Sequence, residues 1–321
     1  MAKQSALQSI LASGTVVAVD TADFNTLRKF GASEGTTNPS LLYAAAADPQ
    51  YARLVDEAVA YGRSIAAKKE RRQQAAAAVE YLAVGFGTEI LDCGCKCVAT
   101  EIDVRHSFDT EQTIAAALRV IALYAQRGIA ADRVRIKISA TWEGIQAARK
   151  LESEHGVGTL VTIVFGMTQA IAAAQAGVTM IAPYVGRIGD WHKARGSKEG
   201  EMMGVVVVSQ MQAYLRKWSF KTKVMGASFR SPEQALALRG TDVLTIGPKI
   251  LDQLAEMQVE NAPEPVTLPD GALEEQDIGK SEDAFKWAYI HDACAVEKSA
   301  EAMRKFGEDT EMLEALLLTK F

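Results

Sequence analysis

The sequence predicts an α/β fold of the (β/α)8, or TIM, barrel class. Three observations carry that reading: eight short β-branched runs, stretches of helical period between them, and strands in which Val and Ile run nearly continuously rather than alternating with polar residues. Strands that alternate with helices pair in parallel through right-handed crossovers. Uninterrupted apolar strands are those covered on both faces. Eight such units in 321 residues match a barrel. A doubly wound open sheet is the competing fold, weakened because no strand leads into GxGxxG or GxxxxGKS/T.

The chain starts with an amphipathic first helix whose single lysine and internal Gln8 and Ser9 make it a poor signal peptide. Strands are predicted at 15–19 (TVVAV), 35–38 (GTTN), 98–103 (VATEID), 134–139 (VRIKIS), 160–165 (LVTIVF), 180–185 (MIAPYV), 223–228 (KVMGAS) and 243–247 (VLTIG). Helices are predicted at 51–67, 73–91, 111–126, 142–154, 167–176, 201–218, 232–238 and 248–257. Residues 157–186 are apolar enough to raise the question of a membrane, but Thr162, Thr168, Gln169, Gln175, Thr179 and Pro183 divide them into strand, helix and strand. Residues 261–271 (NAPEPVTLPDG) carry three prolines and read as an extended linker. A last helix follows, with Val296, Ala300, Met303, Phe306, Thr310, Leu313 and Leu317 on one stripe, and it must cover the barrel. The whole chain, 1–321, is thus one domain: a barrel over about 14–258, then linker and covering helix over 259–321.

Composition excludes several classes. Lys and Arg number 35 against 40 Asp and Glu, a net charge of −5. A nucleic-acid binder would need a basic surplus to displace counterions, so no nucleic-acid partner is expected. Four cysteines are too few for a disulfide scaffold and suit a cytoplasmic protein. Cys93, Cys95 and Cys97 alternate in a way that, with His291 or Cys294, raises a zinc site, but the CxCxC spacing is not the usual CxxC pair and no metal is expected. The basic run 68–72 reads as a solvated helix face. His106, alone past the third strand, is weak evidence of anything. HExxH is absent, so zinc protease chemistry lacks support.

A barrel of this class places its chemistry at the C-terminal strand ends, so polar residues there are informative. They are Asp20, Asn38, Glu101, Asp103, Lys137, Thr162, Tyr184, Arg187, Ser228 and Arg230. Lys137, flanked by Ile136 and Ile138, is the sharpest of them. Burial of its ammonium should push its pKa down towards neutrality, and a neutral amine in a dry site attacks carbonyls to form a Schiff base. The competing reading makes Lys137 a structural ion-pair partner of Glu101 or Asp20.

GTTNPSL (35–41), TEIDVRHSFD (100–109), RIKISATWEGIQA (135–147), PYVGRIGDW (183–191), VMGASFR (224–230) and LTIGPKIL (244–251) together resemble the transaldolase family, in its long form rather than the short aldolase-like one. The resemblance runs from about residue 14 to the last helix. It implies that Lys137 is the Schiff-base lysine and that Asp20 takes and returns the sugar hydroxyl proton. It further implies that Glu101, helped by Thr162, activates a water, that Asn38 holds the three-carbon unit with Thr36 in the same motif, and that Arg187, Ser228 and Arg230 cradle the substrate phosphate. The reaction implied moves a dihydroxyacetone unit between sugar phosphates with neither metal nor organic cofactor. A second copy of this chain, as a homodimer, is the one protein partner entertained.

Three positions depart from the family pattern. Leu160 stands where the family has asparagine, Ala182 where it has serine, and Tyr184 where it has phenylalanine. Losing two groups that hold donor hydroxyls, and gaining a phenol able to pass a proton to water, suggests an altered donor or release of the three-carbon unit, as in the fructose-6-phosphate aldolase relatives. A degenerate barrel serving only to bind would be expected to have lost Lys137, Asp20 or Glu101, and all three are present.

Overall fold

The computed structural model of the protein describes residues 4–65, 70–259 and 273–321. The predicted linker at 261–271, residues 68 and 69 of the basic run and the end of the predicted helix 51–67 lie outside them. Eight strands, β1 (Val16–Asp20), β2 (Glu34–Thr36), β3 (Cys97–Glu101), β4 (Val134–Ser139), β5 (Thr159–Val164), β6 (Met180–Pro183), β7 (Lys223–Gly226) and β8 (Val243–Ile246), form a closed barrel. Every neighbouring pair is parallel, including the closing pair β1 and β8. Each strand falls within a residue or two of its sequence-derived position, except that β2, β3, β6 and β7 stop earlier. Asn38, Asp103, Tyr184 and Ser228 therefore sit in the loops just past their strands.

Period-two alternation then sorts side chains between barrel interior and helix layer. A lower interior layer of Ala18, Ala99, Leu160, Met180, Ala182, Met225 and Val243 is one apolar cluster. The intervening residues, such as Val19, Val98, Ile136, Ile138 and Val161, pack outward against the helices. The strands look continuous in Val and Ile because both faces are covered.

Several short helices escape the periodicity reading. Phe24–Phe30, Pro39–Ala46 and Val185–Ala194 are each too brief to show a clear stripe. Their boundary chemistry is local: Asp23 caps the first, Gly31 closes it at φ +57°, and Asn38 caps the second with Pro39 at its first turn. The region expected to be one covering helix is two, Glu282–Ile290 and Ala293–Leu318, divided where Asp292 caps the second. The long C-terminal helix lies against Pro39–Ala46, Arg71–Asp92 and Val185–Ala194, and it touches β5. At the opposite end, Gln4–Ser5 pairs antiparallel with Gln258–Val259 beneath the barrel. No helix of the described residues is long and apolar enough to cross a membrane.

The helices Val185–Ala194 and Gly200–Lys217 pack against each other more extensively than any other pair. Glycine makes that possible: a methyl on Gly204 would run into the Val185 carbonyl, one on Gly189 into the Glu201 carbonyl. Backbone cannot yield as a side-chain tip can. Gly204→Ala should therefore destabilise the protein by about 1–3 kcal/mol, in the range of overpacked cores. The check is its thermal midpoint, expected to fall by several degrees; an unchanged midpoint would refute the close-packing account.

Candidate active site

The interior layer at the C-terminal end of the barrel is polar, and strand register sets its order. Asp20 is paired in register with Thr36, Glu101 with Lys137, Lys137 with Leu160, and Thr162 with Ala182. All of these but Glu101, together with Asn38, Tyr184, Arg187, Ser228, Thr245 and Phe306, line a cavity of about 80 Å³, and Glu101 is joined to it through its contact with Lys137. A larger groove of about 680 Å³ lies between the helices Arg71–Asp92, Thr110–Gln126 and Ala293–Leu318, and of this group it touches Glu101. We place the chemistry in the smaller cavity because the convergent titratable groups are there.

Lys137 is 5% exposed. Its Nζ lies 2.9 Å from Glu101 Oε2 and donates to the Thr37 carbonyl at 3.0 Å. Beyond that ion pair the Glu101 carboxylate has no hydrogen-bond partner among the described residues. The sequence-based expectation that burial leaves Lys137 with a lowered pKa is corrected here. Burial does press it down, but the carboxylates of Glu101 and Asp20 outweigh that and hold the pKa above its ordinary value. The resting lysine is an ammonium paired with Glu101.

Across the barrel, Thr36 Oγ1 donates to Asp20 Oδ1 at 2.8 Å and stands 2.8 Å from Thr245 Oγ1. With Asp20 accepting, Thr245 supplies the proton of the second bond, giving a directed chain from β8 through β2 to β1. Burial raises the Asp20 pKa, an effect that Lys137 and the Thr36 hydrogen bond only partly offset. Thr162 Oγ1 donates to the Tyr184 hydroxyl at 3.1 Å, and both side chains are buried. Burial likewise raises the Tyr184 pKa, which keeps the phenol protonated.

The rim is cationic. The Arg187 guanidinium lies over the rings of Tyr184, 5.2 Å from its centroid, and Phe306, 5.8 Å away. Arg230 pairs with Asp190 at 2.8 Å, and its Nη1 is 3.5 Å from Ser228 Oγ. Ser228 itself adopts φ +60°, a turn conformation that aims its side chain into the cavity wall. Asn38 spends its side-chain oxygen on the Leu41 amide, leaving the amide nitrogen as the group it can offer a ligand. Leu160 and Ala182 line the same cavity and also belong to the interior apolar cluster.

Twelve of the thirteen residues singled out from the sequence thus gather around this end of the barrel interior, and Asp103 lies outside the cavity. Asp103 instead pairs with Arg105 at 2.6 Å, which also holds Glu314 of the C-terminal helix at 2.5 Å. Sequence reasoning missed Thr245 and Phe306. The former follows the same period-two rule along VLTIG and was legible; the latter arrives from a helix with nothing in its sequence to say which part of the barrel it meets.

The three clustered cysteines face different carbonyls: Cys93 Sγ that of Phe24, Cys95 Sγ that of Ala32, Cys97 Sγ that of Val98. Burial pushes the Cys95 and Cys97 thiols up to about 11, which opposes metal-binding thiolates. No group of three or more His, Cys, Asp or Glu among the described residues is arranged to hold a metal ion.

Residues 17–317 match the family model for transaldolase/fructose-6-phosphate aldolase. A transaldolase of Cricetulus griseus is 44% identical over 321 residues, covering 98% of this chain and 94% of that protein. Transaldolases of Saccharomyces cerevisiae (44%, 98% of this chain, 95% of the relative) and Glaesserella parasuis (44%, 96% and 97%) are similarly related. These full-length relatives bear the transferase's name, so the aldolase reading raised by Leu160, Ala182 and Tyr184 is not favoured.

The Thr36 hydrogen bond stabilises ionised Asp20. Removing it by Thr36→Val should raise the Asp20 pKa further, by roughly 0.7 unit for a bond worth about 1 kcal/mol. Carbon-13 titration of labelled aspartate would read this directly. A fall, or no movement, would show that Thr36 does not donate to Asp20.

Proposed function

The chain belongs to the transaldolase/fructose-6-phosphate aldolase family, and from that premise we propose that it catalyses the transaldolase reaction through a Schiff base on Lys137. The observation that carries this reading is the lysine buried on β4 between a carboxylate on β3 and another on β1. Sedoheptulose 7-phosphate and glyceraldehyde 3-phosphate are converted to erythrose 4-phosphate and fructose 6-phosphate.

The ketose binds with its phosphate at the rim, where Arg187, Arg230 and Ser228 gather. Arginine forks suit phosphate oxygens, and the phosphate competes with Asp190 for Arg230. Because resting Lys137 is protonated, attack on the ketose carbonyl first requires its proton to pass to Glu101, 2.9 Å away. The amine then adds to C2, and the carbinolamine loses water to give the iminium. Glu101 and Thr162, the latter hydrogen-bonded to Tyr184, handle the protons of that dehydration. Asp20 removes the C4 hydroxyl proton as the C3–C4 bond breaks. The electrons of that bond flow into the iminium and leave an enamine of dihydroxyacetone, and the shortened aldose phosphate departs. The raised pKa of Asp20 suits a group that must both accept this proton and return it to the incoming aldehyde. Hydrolysis of the new iminium frees the product ketose and the lysine.

Asn38 and Thr36 face the three-carbon unit. Leu160 and Ala182 give that unit an apolar wall, so its hydroxyls are held from the β1 and β2 side of the barrel. The four free thiols support the cytoplasmic setting expected from the sequence.

Borohydride added with fructose 6-phosphate should reduce the intermediate and leave a dihydroxyacetone-derived mass on the peptide bearing Lys137, and Lys137→Ala should show neither adduct nor turnover. Transfer should require an aldose phosphate acceptor. Trapping at another lysine, or steady release of free dihydroxyacetone without acceptor, would overturn this reading.

A further inference from the structure

Within β5, between the site residue Thr162 and Val164, the register against β6 slips: Thr162 faces Ala182 but Val164 faces Pro183. The extra residue is Ile163, at φ +61°. A β-branched residue in the left-handed region is strained, and such a conformation persists only where its surroundings impose it. A bulge of this kind re-aims the neighbouring side chains, and in a strand a one-residue change of register exchanges the two faces.

The surroundings that impose it converge on one side chain. Gln169, on the helix Met167–Gln175, is wholly buried. Its Nε2 donates to the Ile163 carbonyl at 2.9 Å and to the Ala140 carbonyl at 3.1 Å, with Ser299 Oγ a longer third acceptor at 3.3 Å, while its Oε1 accepts from the Phe165 amide at 2.8 Å and the Gly166 amide at 3.3 Å. Two carbonyls on one side and two amides on the other fix the orientation of the carboxamide. Ser299, from the C-terminal helix, donates to the same Ile163 carbonyl at 3.4 Å. What the bulge carries is the site: Thr162 on one side of it, bonded to Tyr184, and Phe165 on the other, packed edge-on against the Tyr184 ring at 5.4 Å.

We propose that Gln169 is a positioning residue that clamps the β5 bulge in its left-handed conformation and thereby holds Thr162 and Tyr184 in register with Lys137. The clamp acts on proton handling during iminium formation and hydrolysis, not on substrate binding, because Gln169 lies behind the strand and does not line the cavity. This rests on the role given to Thr162 above.

The test is a double-mutant cycle between Gln169→Leu and Thr162→Val, with active sites counted by borohydride trapping. Gln169→Leu should lower kcat per active site about 10- to 100-fold, the scale of an ångström-sized misplacement, and leave the donor KM within about threefold. In the Thr162→Val background the same substitution should cost less than about threefold, since its route is already cut. Gln169→Glu keeps the two accepted amide bonds and loses the donated ones. Ser299→Ala removes only the two longer bonds, 3.4 Å to the Ile163 carbonyl and 3.3 Å from Gln169 Nε2. Both should show smaller losses of the same kind, and they serve if Gln169→Leu does not fold. A kcat within twofold of wild type in all three variants, or losses that multiply undiminished with Thr162→Val, would overturn the clamp. If Thr162→Val alone leaves kcat unchanged, the role of Thr162 falls, and with it the route through which Gln169 acts.

Discussion

A lysine ammonium inside a closed barrel has to be matched by negative charge within the same layer, and much of the site follows from that constraint. In a parallel barrel the partner can come from the neighbouring strand at the paired position, where Glu101 stands opposite Lys137. The pair contributes little net stability, because desolvating both ions offsets their attraction. Its value is chemical: the charge that keeps the ammonium acceptable is also the base that can relieve it of its proton. Asp20 extends the same logic across the barrel, held by a hydroxyl chain from Thr245 through Thr36. One layer lower Ala18, Ala99, Met180, Met225 and Val243 form an apolar cluster, and the charges in register with that layer, Glu34 and Arg135, neutralise each other at 2.9 Å.

The rest of the site is assembled from outside the barrel. The C-terminal helix brings Phe306 against Arg187 and Ser299 against the β5 bulge. It is tied down on the other side by Arg105, which bridges Asp103 and Glu314, and by Asp309, which takes bonds from both Ser40 and Lys305. These anchors sit on the loops after β2 and β3, so one helix fastens the strand ends that bear Asn38 and Glu101 to the one that bears Thr162.

The barrel was legible in the sequence because each strand is a local pattern and each crossover leaves helical period behind it. Lys137 stood out for the same reason, as a charge within an apolar run. Its pKa runs against the sequence-based expectation because desolvation is a property of one residue and can be read from its neighbours in sequence, whereas the opposing field of Glu101 and Asp20 comes from two other strand ends. Gln169 reads as an ordinary polar interruption of an apolar stretch; only the folded chain shows four backbone groups converging on it. Phe306 could be placed on a helix stripe but not over a particular barrel residue, since that docking is set by contacts between residues far apart in sequence, such as Ser40 and Asp309, 269 residues apart.

That last dependence bears on how the protein comes into being. Strands β3 to β6 can pair with neighbours already synthesised, but β1 cannot find its second partner until β8 exists, as the register of Val16 with Val243 requires. Arg187 at the rim and the strained turn of β5 then await a helix that begins at Ala293. A growing chain therefore displays a nearly complete barrel wall before it holds a competent site. Translation that stops short of this helix yields the reactive lysine without the contacts that steady its surroundings, so the arrangement ties catalytic competence to synthesis of nearly the whole chain.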